Sequence, residues 1–516
     1  MRRPQAAGSI LEAVKPLTEK LTALEAKALQ GGSISVVAMA AELAATCIVV
    51  ARTAMTLVLE QAACAQPSSL PCACGGEASS KGFEDTSFVG RFGRVPVSRR
   101  RMECDRCGES FFPFDQLWGL PAGEYADDVR EATERLSCRL PSFEEAVAEL
   151  QYLWGIAPDA STAKRWVAQD GARADAVVKA DAEARWKKYE TRAFAEAQGE
   201  QRAPQRSEGF GVVEVDGVHA LTWKPGREPR RKAEPAVEAI TAGAAPAAAS
   251  ETSERATRHQ APSTLSEVKG SPMGPKGRSD RVRGREICMG IAYLGEDACQ
   301  ESFGRGVLLD RRYVATLNDR EGFWHKLHAA AAEQGVLGRE KLVRVSDAGT
   351  YFVDRTTELF CDQPLVGILD IQHGRQHVWE AGHKVVADPK KTAAWVAPRT
   401  QALSDGKVHE IIIDLAAERE RRRGSAQREA IDDLSGYLES NKHMMDYPSY
   451  RDAGYPIASA AIESANKRMV GRRCKQGGMI WSEVGLEAIV ALRVAFYNPG
   501  TWHRLWPHTA PRAAAA

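Results

Sequence analysis

The chain has 516 residues, of which 44% are hydrophobic and 27% charged, and a formal net charge of +1. That length supplies two to four domains of ordinary soluble composition. The balanced charge excludes a uniformly basic nucleic-acid-binding chain, so any DNA surface must come from charge segregated along the sequence. The 11 cysteines are too sparse and uneven for a disulfide scaffold, which points to a reducing, cytoplasmic setting.

Residues 10–65 read as helix, with Pro16 and Gly31–Gly32 as the breakers, and residues 1–69 form an amino-terminal helical region. Its stretch 35–60 is rich in Val, Ala, Leu and Met, but Glu42 and Arg52 interrupt the run of about 20 apolar residues that a bilayer span needs. It reads as a buried or self-associating helix, and no secretory signal is recognised.

Residues 70–120 carry glycines, cysteines and short β-like runs. Cys72-Ala-Cys74 and Cys104-Asp-Arg-Cys107 lie about thirty residues apart, and two close cysteine pairs around a β-rich spacer supply the four thiolates of a structural Zn²⁺. The first pair is tighter than the usual CxxC, so Cys64 is an alternative ligand. The other cysteines read as packing residues.

Residues 121–200 are helical. Ser142, with Glu145 three residues later, caps one helix, Gly155 ends it, and Asp159 or Ser161 caps the next. The pattern fits a helix-turn-helix with Lys164 and Arg165 placed to meet DNA, or an ordinary αα-hairpin.

Residues 209–223, GFGVVEVDGVHALTW, read as a buried strand. Residues 224–285, rich in Pro, Ala, Ser, Lys and Arg, read as a disordered insertion. Strands resume at 287–294 and 306–309, a helix follows at 321–334, and KLVRVSD (341–347) and PLVGILD (364–370) are two buried strands that each end in Asp. From about 376 to 497 the pattern is mostly helical, with residues 385–450 as a helical insertion and 507–516 as a disordered tail.

Three carboxylates stand on separate elements: Asp216 after a valine run, Asp347 after KLVRVS, and Glu463 ahead of Lys467, Arg468, Arg472, Arg473 and Lys475. An Asp at the end of a buried strand is costly unless something compensates its charge. Two Mg²⁺ or Mn²⁺ ions clamped by such carboxylates do so, and they drive phosphoryl transfer. Lys467 lies four residues after Glu463 and on a helix shares its face. Asp370, His373 and His377 have metal-ligand spacing, but His373 reads better as a brace, bonded to Asp370 or to backbone.

These pieces together resemble the DDE-class transposases of bacterial insertion sequences, specifically the Kra-type group related to Mutator-like transposases. The matching segments are CxxCG with FFPFDQLWGL (111–120), SFEEAV and STAKRW (142–166), VEVDG (213–217), VSDAG (345–349), ILDIQHGRQHVW (368–379) and YPIASAAIESANKRMVGRRCKQGGMIWSE (455–483).

The resemblance implies an α/β fold with an RNase H-like catalytic core over residues 209–506, preceded by a helical and zinc-ribbon-like DNA-binding region. It places Asp216, Asp347 and Glu463 on the catalytic triad and gives Asp370 and His373 a supporting role. The implied activity is metal-dependent cleavage and strand transfer at the inverted-repeat ends of an element. Double-stranded DNA is the partner, and a homodimer or larger assembly the working form. Pro456-Ile-Ala-Ser-Ala460 departs from the family's glycine-rich PIGSG and makes that loop stiffer. It leaves open a decayed or co-opted DNA-binding protein, and an RNase H-like nuclease without strand transfer shares the same carboxylates.

Overall fold

The computed structural model describes residues 10–30, 35–121, 123–199, 205–225, 281–300, 306–347, 349–386 and 388–507. The low-complexity stretch expected at 224–285, the tail after 507 and Ala348 lie wholly or mainly outside them. The chain is mixed α/β, with an amino-terminal helical region and a four-cysteine cluster.

Helices Ile10–Leu29 and Val36–Cys64 open the fold, tied by the Lys20–Glu42 ion pair at 2.7 Å. The expectation of a buried second helix holds only at its end. Leu59 and Ala63 pack on Phe88, Val95, Val97 and Phe114, whereas Val36, Val37, Ile48 and Val49 are exposed. By length and composition alone this helix is able to cross a membrane.

The cysteine region is built on longer strands than its sequence suggests. β1 (Ser69–Pro71), β2 (Glu77–Gly90), β3 (Gly93–Cys104) and β4 (Ser110–Phe111) form an antiparallel sheet in that order. β2 and β3 make a long two-stranded ribbon, closed by Arg91-Phe92 between paired Gly90 and Gly93.

A short helix, Pro113–Trp118, and three longer ones follow: Asp127–Arg139, Phe143–Trp154 and the 38-residue Ala160–Ala197. The caps are those the sequence predicts. Ser142 accepts from the Glu145 N–H, Gly155 ends the helix in the left-handed region at φ 69°, and Asp159 accepts from the Thr162 N–H. The third helix packs along Glu483–Tyr497 at Gly171, where an added Cβ would lie 2.2 Å from the Ala488 carbonyl oxygen.

The central sheet holds β5 (Ser207–Trp223), β6 (Val282–Leu294), β9 (Arg312–Thr316), β10 (Arg339–Ser346) and β11 (Leu365–Leu369), while β7 (Ala298–Gln300) and β8 (Gly306–Leu308) form a separate pair. Its order is β11-β10-β5-β6-β9, and β6 alone runs against the rest. β9 had no counterpart in the sequence reading: five residues beginning at Arg312 give a weak pattern. Side chains alternate across β5. Val213 and Val215 face the helix Arg320–Glu333. Val212 and Val218 face the core built with the carboxy-terminal helices, so Glu214 and Asp216 share that second face. Helices Pro389–Ser404, Val408–Arg421, Ser425–Asn441 and Tyr447–Asp452 fill the expected helical insertion.

Candidate active site and metal centre

Asp216 does not end its strand, as its sequence suggests, because β5 continues paired with β6 as far as Trp223. What ends there is the parallel partner. Val345 is level with Glu214, so Asp347, one step beyond β10, is level with Asp216. Ser346 is level with Leu369, so Asp370, just beyond β11, is level with Asp347. Register thus sets Asp347 and Asp370, just past the carboxyl ends of β10 and β11, side by side with Asp216 where the parallel pairing of β5 stops, the edge at which open α/β sheets place their sites.

Glu463 reaches this edge on the short helix Ala460–Asn466, held to β5 at two points. The Ile462 N–H donates to Glu214 Oε2 at 2.9 Å, and Asn466 Nδ2 donates to Asp216 Oδ2 at 2.6 Å. Glu214 is fully buried and also accepts from the Tyr293 hydroxyl at 2.7 Å. Neither Glu214 nor Asn466 was singled out in the sequence. The spacing was there to find: Glu214 is two residues from Asp216 on one strand face, and Asn466 is three residues from Glu463 on one helix face.

The electrostatics fit a cation. Burial, with the Asp347 charge, raises the Asp216 carboxyl above its usual range against the pull of the Gly217 N–H and Asn466. Burial and the charges of Asp370 and Asp216 raise Glu463. Like charges gathered without a cation push one another toward the neutral form, and a bound divalent ion reverses that. Asp216, Asp347 and Glu463 are therefore the residues able to hold such an ion, although their oxygens do not close to within 4.8 Å of one another.

Asp370 is buried, and both its oxygens are occupied, by the Gln372 N–H at 2.7 Å and by the Ser459 hydroxyl. With the Ile371 N–H donating to Ile457 O at 3.0 Å, it pins the loop ahead of Glu463. Ala460, one of the two alanines that stand where the family favours glycine, is the first residue of the helix Ala460–Asn466, a backbone conformation that alanine adopts freely. His373 does not brace Asp370 or backbone. Its Nε2 faces His377 Nε2 at 3.2 Å, and the His377 ring stacks on Tyr437 at 3.9 Å. Tyr437, from the helical insertion and also missed in the sequence, lies close enough to the site that Asp347 and Asp370 add to burial in lifting its hydroxyl.

The cations after Glu463 divide. The α-helix gives way to a π-helical turn at Lys467–Gly471, a widening often found at functional sites. The Lys467 N–H still reaches Glu463 O, and Lys467, Arg472 and Lys475 are exposed. Arg473 is a correction. It is 1% exposed and donates to the carbonyls of Ser137 at 3.0 Å and Pro141 at 2.8 Å, with Phe143 and Trp481 against its guanidinium. It joins the amino-terminal helices to the core and is not available to DNA. Lys164 and Arg165 are exposed on the first turns of their helix.

The second site is the cysteine cluster. The sulfurs of Cys72, Cys74, Cys104 and Cys107 all lie within 4.8 Å of one another, with Cys72–Cys107 at 3.7 Å and Cys74–Cys104 at 3.5 Å. A Zn²⁺ bonded to sulfur at ~2.3 Å sets tetrahedral edges of about 3.8 Å, so the quartet fits that ion and Cys72, not Cys64, completes it. N–H groups of Gly76 and Arg106 point at Cys74 and Cys104 sulfur. Backbone N–H groups of Cys107 and Arg106 pull the Cys104 thiol down to about 6, the direction a thiolate ligand needs, while against the Glu109 N–H the neighbouring Cys104 and Cys74 push the Cys107 thiol up to about 12. A Cβ at Gly76 would come 2.7 Å from Arg106 Cβ and 3.1 Å from Cys104 sulfur, so this knuckle has room for glycine alone.

Among known proteins, no family model matches the chain and no curated relative matches it.

Proposed function

We propose that the chain is a DDE-class DNA transposase with an RNase H-like core, acting on the ends of an insertion sequence. The observation that carries this reading is the strand register. The Val345–Glu214 pair of the parallel strands β10 and β5, extended by two residues, brings Asp347, just past β10, level with Asp216, and the helix of Glu463 is tied to the Asp216 strand at Ile462 and Asn466. The sheet order, with its single reversed strand, supports the RNase H-like assignment.

Asp216, Asp347 and Glu463 would hold Mg²⁺ or Mn²⁺. Such ions, when bound, activate a water or a 3′-hydroxyl and neutralise the charge that develops on the phosphate. Asp370, through Ser459, keeps the loop before Glu463 in place. Lys467, Arg472 and Lys475 hold phosphates without reading bases. The cysteine quartet holds Zn²⁺ and stiffens the base of the ribbon.

Charge distribution refines where DNA sits. Residues 69–121 carry seven Lys or Arg and seven Asp or Glu, and residues 121–199 carry eleven and fifteen. The segment 455–481 carries five cations and one carboxylate. Phosphate affinity is therefore assigned to the Glu463 block, and end recognition to particular contacts such as Lys164 and Arg165. Joining two element ends calls for a dimer or a larger assembly on DNA.

The test is cleavage of duplexes that carry the DNA flanking the reading frame, in Mg²⁺. Asp216→Asn, Asp347→Asn and Glu463→Gln should each lose at least about 100-fold in rate, with a smaller loss for Asp370→Asn. Undiminished cleavage by all three triad variants would overturn the assignment.

A further inference from the structure

A cleft of about 470 Å³ opens beside the Glu463 helix, lined by Ala460, Ser464 and Arg468 on one side and by Arg311 and Tyr313 on the other. Its chemistry is unusual for this molecule. Arg311 Nε donates to the Tyr313 hydroxyl at 2.9 Å and its Nη1 to the Leu308 carbonyl, and Arg468 Nη1 donates to the same hydroxyl at 3.3 Å. The two guanidiniums are thus no more than about 6 Å apart, inside the distance at which salt screens them.

Neither has a carboxylate partner among the described residues, although ion pairs are common across the rest of the surface. Arg493, 1% exposed, adds a third unpaired guanidinium beneath them, donating to the carbonyls of Met469 and Arg468. The acid at the cleft floor, Glu214, is fully buried and occupied by Tyr293 and the Ile462 N–H. Cations converging on one point, half-buried and with no ion-paired carboxylate among the described residues, repel one another until an anion sits between them. Arginine's planar fork suits a phosphate oxygen pair.

We propose that Arg311 and Arg468 together grip one phosphate, a phosphodiester of the DNA strand that runs past Glu463. The inference rests on the DNA reading given above and adds Arg311, from the β8–β9 turn, to it. Holding a phosphate against the helix that bears Glu463 fixes the strand relative to the carboxylates, which is how positioning lowers a phosphoryl-transfer barrier. Tyr313 is a positioning residue, aiming both guanidiniums.

The experiment measures duplex DNA binding by the full-length protein, in EDTA, across a range of salt. Arg311→Ala, Arg468→Ala and the double variant should each weaken binding several-fold, alike for flanking and scrambled duplexes, and each should lower the salt slope by about one. The double variant loses one unit and not two, because both side chains hold the same phosphate. Arg311→Lys should recover part of the affinity, and melting temperatures confirm that each variant is folded. Unchanged slopes in folded variants overturn the cleft assignment, and a double variant that loses two units overturns the shared phosphate. A wild-type protein that binds no duplex, yet is stabilised by inorganic phosphate only while Arg311 is present, overturns the DNA reading itself and leaves a small-anion cleft.

Discussion

Glu214 and Arg473 show how little a charged residue's identity says about where its charge acts. Glu214 lies on the strand of Asp216 and is fully buried, where it holds the backbone of Ile462 next to Glu463. Replacing it with leucine leaves that N–H without an acceptor, a loss of about 1–3 kcal/mol, and frees one of the two ties that set Glu463. Glu214→Leu should raise the Mg²⁺ concentration needed for half-maximal cleavage by about tenfold, while Glu214→Gln, which keeps an oxygen for Ile462, stays within about threefold of wild type. Metal titrations of cleavage check this, and equal Mg²⁺ requirements for the leucine variant and wild type would remove the positioning role. Arg473 stands in a run of cations that sequence reads as one DNA-facing set. Its neighbours Arg472 and Lys475 are exposed and it is not, because the helix turns it toward the carbonyls of Ser137 and Pro141.

Elements with strong local signals were legible. The caps at Ser142, Gly155 and Asp159 depend on residues within three or four positions of one another, so sequence spacing suffices to place them. The strands β5, β10 and β11 announce themselves as valine- and leucine-rich runs. β9 did not, since its five residues become a strand only by pairing with β6. Gly171 makes the same point inside a helix, where glycine costs up to about 1 kcal/mol relative to alanine. The cost is offset by the approach of Ala488, whose carbonyl oxygen would lie 2.2 Å from a new Cβ. Gly171→Ala should therefore destabilise by about 3 kcal/mol, against the usual gain from this substitution in a helix. Chemical denaturation measures it, and a stabilised variant would show that the two helices are not in contact there.

At the scale of the whole molecule, two cores are stapled in different ways. The α/β unit is held by a large shared apolar core on both sheet faces. The base of the ribbon has only Cys72, Ala78, Met102 and Cys104, with Leu70 and Phe111 against them, too little to stabilise it without a metal. Removing Zn²⁺ with a chelator, or changing Cys104 to Ser, should unfold the ribbon base while the α/β unit melts as before. The expected trace is a lost low-temperature transition and metal released at one ion per chain. A metal-free protein with an unchanged ribbon base, read by hydrogen exchange around Ala78 and Met102 and not at Phe88 and Val95, which pack on Leu59 and Ala63, would contradict it.

The sequence alone determined the chain's chemistry: four thiols in two close pairs, carboxylates after hydrophobic runs, cations after Glu463, and helix ends marked by their caps. These are short-range patterns, and backbone sterics and local hydrogen bonding read them directly. Tertiary structure alone decided which of those groups meet. It levelled Asp216, Asp347 and Asp370 through strand register, brought Glu214 and Asn466 to the Glu463 helix, chose Cys72 over Cys64, and buried Arg473 while turning Arg311 toward Arg468. Each of these outcomes depends on contacts between residues tens to hundreds of positions apart, and no local preference in the chain encodes them.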